Sequence, residues 1–265
     1  MNATGTYLAL HREALAIYFT ADFPKKGDTT SLILALQAAG ADLIEVGLPF
    51  SDPLADGVVI QQSSQKALAN GFEMQALFAE LKALRPQVRV PLVLMGYFNT
   101  VLAYNVSRFL ADCNQAGIDT VILPDLPLEV YQDEYRALFE AQGVSLAFLI
   151  TPQTARERVD LMVENSHAFL YVVADNSITG KSSGLSEAQK AYFERVKGWN
   201  LPLPTLIGFG IAEAQSFQTA CQYANGAIVG SAFIKKLEQA EQEGQDLNQT
   251  VQDFVKNLKA KPVLS

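Results

Sequence analysis

The chain has 265 residues, 49% of them hydrophobic, with a formal net charge of −8. That is enough apolar material for one large core, and an α/β barrel of about 250 residues is an ordinary domain, so residues 1–265 are expected to form a single one. The acidic balance, with no basic stripe to displace counterions from phosphates, excludes nucleic acid and anionic membranes as expected partners and leaves small phosphorylated molecules.

An amphipathic helix is expected around 7–14, ahead of the first apolar, β-branched run at 15–20. Further runs at 42–48, 90–96, 119–124, 144–150, 167–174, 203–208 and 226–230 bring the expected strands to eight. Helical periodicity fills the gaps, as in Leu32, Ala35, Leu36 and Ala39, and a last helix is expected around 247–258. Four of these helices end on glycine shortly before a strand, at Gly40, Gly117, Gly143 and Gly226, a residue that tolerates the left-handed turn out of a helix. Eight strand–helix alternations of roughly 30 residues predict a parallel (β/α)8 TIM barrel with extra helices at both ends. The doubly wound alternative usually carries a glycine-rich first turn, and here that turn reads Thr20-Ala21-Asp22-Phe23-Pro24.

No apolar run reaches the roughly 18 residues of a membrane span, and the start Met1-Asn2-Ala3-Thr4-Gly5 lacks signal-peptide features, so a cytoplasmic location is expected. Cys113 and Cys221 have no CxxC or histidine-rich neighbours, and the only histidines are His11 and His167, so no metal site is expected.

In a barrel of this kind the active site lies at the C-terminal ends of the strands. Glu45 falls there, a single charge in the run Leu43-Ile44-Glu45-Val46-Gly47-Leu48, and Asp56 follows on a loop rich in Pro and Asp. Burying a carboxylate requires either a partner for the ion or a pKa raised toward neutrality. Two carboxylates in unlike environments suit an acid and a base with separated pKa values. The alternative reading pairs Glu45 with a barrel Lys or Arg and has Asp56 open a turn or cap the next helix. Asp125 and Tyr171 also fall at the catalytic face; the tyrosine hydroxyl needs a partner, either Glu45 or a substrate.

Ile178-Thr179-Gly180, Gly208-Phe209-Gly210 and Gly230-Ser231 read as a phosphate cradle, because glycines let backbone N–H groups approach an anion and the helix after Ser231 would aim its positive end there. The alternative is that these glycines only permit tight turns. The polar, glycine-rich stretch from Asp175 to Ser186 is long for a βα connection and reads as a lid or as plain surface disorder.

The run from Glu45 through Pro49-Phe50-Ser51-Asp52-Pro53-Leu54-Ala55-Asp56-Gly57 to Ile60-Gln61 closely resembles the signature of the tryptophan synthase α-subunit family. The likeness continues through Ile17-Tyr18-Phe19-Thr20, Met95-Gly96-Tyr97-Phe98-Asn99, Leu123-Pro124-Asp125-Leu126-Pro127, Tyr171, Thr179-Gly180, Gly208-Phe209-Gly210 and Gly230-Ser231, across nearly the whole chain. The resemblance implies retro-aldol cleavage of indoleglycerol phosphate to indole and glyceraldehyde 3-phosphate. It further implies a β subunit carrying pyridoxal phosphate in an α2β2 heterotetramer, with no cofactor in this chain. By the same resemblance, Glu45 is the acid/base, Asp56 takes up charge at the indole nitrogen and Tyr171 supports them. Gly180, Gly210, Gly230 and Ser231 would hold the phosphate, Tyr18, Tyr97 and Phe209 would surround the indole, and Thr179 would meet Asp56 on lid closure. Ser51, Asp52, Pro53 and Asn99 would face the β subunit.

Two segments depart from the family pattern: Ala174-Asp175-Asn176-Ser177 stands where the lid often begins Ser-Arg, and Asp22-Phe23-Pro24 where the first turn often reads Gly-Asp-Pro. Two competitors are weighed against the lyase. One is a regulatory binding subunit with negligible chemistry of its own. The other is a different phosphate-binding barrel, such as an indoleglycerol phosphate synthase or a sugar-phosphate epimerase, which calls for a Lys acid or a metal that the expected strand ends lack.

Overall fold

A computed structural model describes residues 1–54, 56–174, 185–208 and 210–260. Nine parallel strands are ordered β5-β4-β3-β2-β1-β9-β8-β7-β6. They are β1 (Ala14–Thr20), β2 (Leu43–Gly47), β3 (Leu92–Met95), β4 (Thr120–Ile122), β5 (Ser145–Leu146), β6 (Phe148–Ile150), β7 (Leu170–Val173), β8 (Thr205–Gly208) and β9 (Gly226–Val229). The ninth strand arises because the expected run 144–150 is divided at Ala147. Its lower part, β5, pairs with β4, the Ala147 amide still donates to the Val121 carbonyl at 2.9 Å, and β6 then pairs with β7. The two ends of the sheet are thus one stretch of chain changing partners, and eight staves nearly close the TIM barrel.

Every residue of β1, β2, β8 and β9 is buried. Parallel strands covered by helices on one side and packed into a barrel on the other have no solvent face, which is why they read as unbroken apolar runs.

The N-terminal helix lies earlier than its periodicity predicts, at Ala3–Leu10 rather than 7–14. The Asn2 side chain accepts from the Gly5 amide and caps it, and His11 is already extended. Residues 14 onward are taken by β1, which pairs with both β2 and β9, and that two-sided pairing outweighs local helical preference. This helix closes the N-terminal end of the barrel: the Asn2 amide donates to the His167 carbonyl at 2.7 Å. The last helix, Leu247–Lys259, is capped by Asp246.

Gly40, Gly117 and Gly143 have the left-handed φ expected of helix-terminating glycines. Gly226 does not. It opens β9, where a Cβ would lie 2.0 Å from the Ala14 carbonyl oxygen, so this glycine serves close strand approach instead.

Candidate active site

Glu45 is the middle residue of β2 and is 1% exposed, and neither carboxylate oxygen has a hydrogen-bond partner among the described residues. Burial, and next the neighbouring Asp56, raise its pKa to about 8. No cation pairs with it among the described residues, so the alternative of a barrel ion pair does not hold. A carboxyl left without a partner in such surroundings keeps its proton near neutrality.

Asp56 stands in a different environment. Its amide donates to the Pro53 carbonyl at 3.1 Å, and the Gln61 side chain donates to its carbonyl at 2.9 Å, which closes the loop against the helix Val58–Ala69. The side chain is no helix cap, since Gly57 occupies that position; Asp56 Oδ2 instead accepts from the Tyr97 hydroxyl at 3.1 Å. Burial raises this carboxyl to about 6, and the Tyr97 hydrogen bond partly opposes the rise. Between about pH 6 and 8 the protonated Glu45 and the ionised Asp56 therefore coexist.

Both carboxylates line a cavity of about 330 Å³ together with Tyr18, Tyr171, Gly210, Gly230 and Ser231. Tyr18 on β1 is the register partner of Glu45, and Tyr171 on β7 is buried. Each ring packs over a glycine on the following strand: a Cβ at Gly47 would lie 2.1 Å from Tyr18 Oη, and one at Gly208 would lie 2.0 Å from Tyr171 Oη. Burial, with Glu45 and Asp56 nearby, pushes the Tyr171 phenol well above its ordinary value, so the ring stays neutral. Glu45 does not accept from the Tyr171 hydroxyl.

The opposite wall is suited to an anion. Gly210 turns with φ +73°, and the helix Ser231–Gln242 begins at the cavity. The amides of Phe233 and Ile234 already donate to the Gly230 carbonyl, and the first N–H groups of a helix have no acceptor within it. Lys235, one turn further along, also lines the cavity. Lys235 lies on a helix and not at a strand end, where a cation was expected, and its i+4 spacing from Ser231 is the signal in the sequence that places it on the same helix face. Ile60, Met95 and Ile228 add apolar lining to which the sequence reading gave no role.

Thr179, Gly180 and Phe209, and residues 175–184 of the lid expected from Asp175 to Ser186, lie outside the described residues. At the far end of that stretch Ser186 caps the helix Glu187–Gly198 through a reciprocal pair with Gln189. Asp125 accepts from the Phe98 amide at 2.8 and 3.0 Å, so it anchors the start of the helix Phe98–Tyr104 instead of facing the cavity. Tyr97 also stacks on Phe50, with centroids 5.0 Å apart.

Of the residues expected to meet a partner, Ser51, Asp52 and Asn99 are exposed and Pro53 is buried. Leu54, 92% exposed, and Leu102, 47% exposed, stand on the same two segments. A larger groove, about 820 Å³, lies outside the barrel beside Asp246 and Lys256, away from the carboxylate pair. Among the described residues there is no group of three or more His, Cys, Asp or Glu able to hold a metal, and no helix long and apolar enough to cross a membrane.

The chain matches the family model described as tryptophan synthase alpha chain over residues 6–262. It is 48% identical over 240 residues to the tryptophan synthase alpha chain of Flavobacterium johnsoniae, covering 91% of this chain and 95% of that one. A crystal structure of the alpha chain from Legionella pneumophila superposes with TM-score 0.88 at 28% identity, covering 98% and 96% of the two chains. A chain of the Pyrococcus furiosus tryptophan synthase a2b2 complex superposes with TM-score 0.82 at 29% identity, covering 94% and 99%.

Proposed function

This chain belongs to the tryptophan synthase alpha chain family and is an enzyme of tryptophan synthesis; on that premise we propose that it is a carbon–carbon lyase. It cleaves indoleglycerol phosphate to indole and glyceraldehyde 3-phosphate in one (β/α)8 domain and hands the indole to a β subunit in an α2β2 assembly. The observation that carries this reading is that Glu45, without a hydrogen-bond partner among the described residues and with its pKa raised by burial, shares one cavity with Asp56 and a helix N-terminus able to take a phosphate.

Glu45 gives its proton to the ring carbon that bears the side chain, and positive charge develops at the ring nitrogen. The Asp56 carboxylate accepts that N–H and stabilises the charge. The glycerol hydroxyl next to the ring then returns a proton to Glu45 as the carbon–carbon bond breaks and its electrons re-form the aromatic ring. One proton leaves Glu45 and one comes back, so the residue is ready for another turn; such positioned proton transfer contributes ~10²–10⁴-fold. Gly210, Gly230 and Ser231, with Gly180, hold the phosphate, while Tyr18, Tyr97, Tyr171 and Phe209 enclose the organic part and Thr179 meets Asp56.

The two proton transfers use groups of this chain alone, and pyridoxal phosphate belongs to the partner. The exposed Ser51, Asp52, Leu54, Asn99 and Leu102 support a docking surface beside the cavity mouth. The enzyme works in the cytoplasm. Indole release from indoleglycerol phosphate, measured with and without a β subunit, tests the reading. Faster release with the partner supports it, and acceleration of the β reaction with no indole formed under either condition overturns it in favour of a regulatory subunit.

A further inference from the structure

Three buried hydroxyls run in a line from the cavity wall into the helix behind it. Ser63 Oγ lies 2.9 Å from the Ile60 carbonyl oxygen, Thr20 Oγ1 lies 2.6 Å from Ser63 Oγ, and Tyr18 Oη lies 3.5 Å from Thr20 Oγ1. Thr20 and Ser63 are 0% and 1% exposed, so bulk solvent does not reach them. Each hydroxyl has one proton to give.

The direction of the chain follows from counting those protons. A carbonyl oxygen can only accept, so the Ser63 proton points at Ile60. Two oxygens 2.6 Å apart need a proton between them, and since that of Ser63 is already used, Thr20 donates to Ser63. The Thr20 oxygen then faces Tyr18 with lone pairs alone, so the proton available to the third link, a weak one at 3.5 Å, is that of Tyr18. A phenolic O–H lies in the plane of its ring, so drawing it toward Thr20 leaves an acceptor lone pair on the other side of Oη.

The ring's position says what that lone pair would meet. At one end, a Cβ on Gly230 would be 3.3 Å from Tyr18 Cδ1; at the other, Oη lies over Gly47, two residues beyond Glu45 on β2. Tyr18 therefore spans the stretch between the anion-binding wall and the level of the acid. A three-carbon chain joining a phosphate to a ring must cross that same stretch.

We propose that Tyr18 determines specificity by accepting a hydrogen bond from the hydroxyl on the middle carbon of the substrate's glycerol chain, with Thr20 and Ser63 as positioning residues that fix it as an acceptor. The inference rests on the proposed lyase reading and adds a preference to it. The middle hydroxyl neither gives nor takes a proton in the cleavage, so a site that reads it gains selectivity without altering the chemistry. An analogue lacking only this hydroxyl leaves the Tyr18 acceptor buried and unpaired, which a site built to hold the group penalises.

The test compares kcat/KM for indoleglycerol phosphate with that for its analogue deoxygenated at the middle carbon, which can still cleave because it keeps the hydroxyl next to the ring. The native enzyme is expected to prefer the full substrate by about tenfold or more, the worth of one buried neutral hydrogen bond with its desolvation. Tyr18→Phe keeps the ring over Gly47 and is expected to bring the ratio near one, mainly by slowing the full substrate. Ser63→Ala, which leaves Tyr18 intact and lets the Thr20 proton turn toward it, is expected to lower the ratio in the same direction by a smaller factor. General loosening of the fold would slow both substrates together and leave the ratio alone. An unchanged ratio in Tyr18→Phe, with both substrates cleaved by the native enzyme, overturns the inference and leaves the lyase standing. Failure of the native enzyme to cleave indoleglycerol phosphate removes the lyase and the inference with it.

Discussion

Asp42, immediately before β2, and Glu45, at its middle, stand three residues apart, yet they are treated in opposite ways. Asp42, at the N-terminal end of the barrel, accepts from the Leu15 amide at 2.9 Å and from Lys259 at 2.8 Å. Nearby at the same end, Asp119 accepts from the Thr4 amide at 3.0 Å and from the hydroxyls of Thr4 and Thr120. Among the described residues, Glu45, toward the C-terminal end, has no partner for either oxygen, and the Asp56 carboxylate accepts from the Tyr97 hydroxyl at 3.1 Å. Saturated carboxylates hold the chain together, whereas a carboxylate kept short of partners has capacity left for a substrate. The barrel thus divides the same functional group between stability at one end and chemistry at the other.

The sharpest break in that contrast is Glu45→Gln, which keeps the shape and removes the titration. Turnover is expected to fall by ~10²–10⁴-fold. Stability is expected to move the other way. The Glu45 pKa is raised from 4.5 to about 8 on folding, so the native state binds more protons than the unfolded state in that window, and native stability is lost as pH rises through it. The glutamine variant has no such loss, and its melting temperature is expected to exceed that of the parent by a margin that grows up to about pH 8 and then stays level. Thermal melts across that range, beside indole assays, check both parts; a variant uniformly less stable would mean that Glu45 is a structural anchor like Asp42.

Asp119→Ala applies the same operation to the other end. It strands the Thr4 amide and the Thr4 and Thr120 hydroxyls. Each unsatisfied buried group costs about 1–3 kcal/mol, with partial relief from water at this half-buried site, so a net loss on the order of 2–3 kcal/mol is expected in denaturant unfolding. At temperatures where the variant remains folded, kcat/KM is expected to match the parent. A drop in kcat/KM without loss of stability would erase the division between the two ends.

How much of this was readable beforehand follows from the same physics. Strands buried on both faces leave a plain apolar signal, and a lone carboxylate inside such a run, as at Glu45, stands out because burial of charge is costly. The position of the N-terminal helix was misread because the residues that displace it belong to β1, whose stability comes from β2 and β9, far away in sequence. The break at Ala147 was hidden for a similar reason: it reflects a change of partner from β4 to β7, while the residues on either side remain apolar. Gly226 resembled a helix terminator by spacing, and only the approach of Ala14 reveals its role. Partnering itself, which separates Asp42 from Glu45, is a three-dimensional property and could not be read from residue types.

The pH dependence sharpens the contrast within the active end. Activity should rise as Asp56 ionises near pH 6 and fall as Glu45 ionises near pH 8. The kcat/KM profile of the free enzyme is therefore expected to be a narrow bell between these apparent values, which belong to the interacting pair. A profile flat from pH 5 to 9 would remove the acid and base assignments together.

The smallest effect tests whether the Tyr97 hydrogen bond to the Asp56 carboxylate matters. Tyr97→Phe keeps the ring that stacks on Phe50 and deletes only the hydroxyl that donates to Asp56 Oδ2. That bond favours the charged carboxylate and holds its pKa below what burial alone would set, so its loss should raise the pKa. The acidic limb of the bell should move to higher pH by about half to one unit, corresponding to roughly 1 kcal/mol of hydrogen bonding. The alkaline limb should stay in place, because Asp56 remains ionised near pH 8 and continues to act on Glu45 as before. At the plateau the rate should be nearly that of the parent. Movement of the alkaline limb alone would assign the Tyr97 hydroxyl to Glu45, and no movement of either would mean that Asp56 is tuned by burial alone.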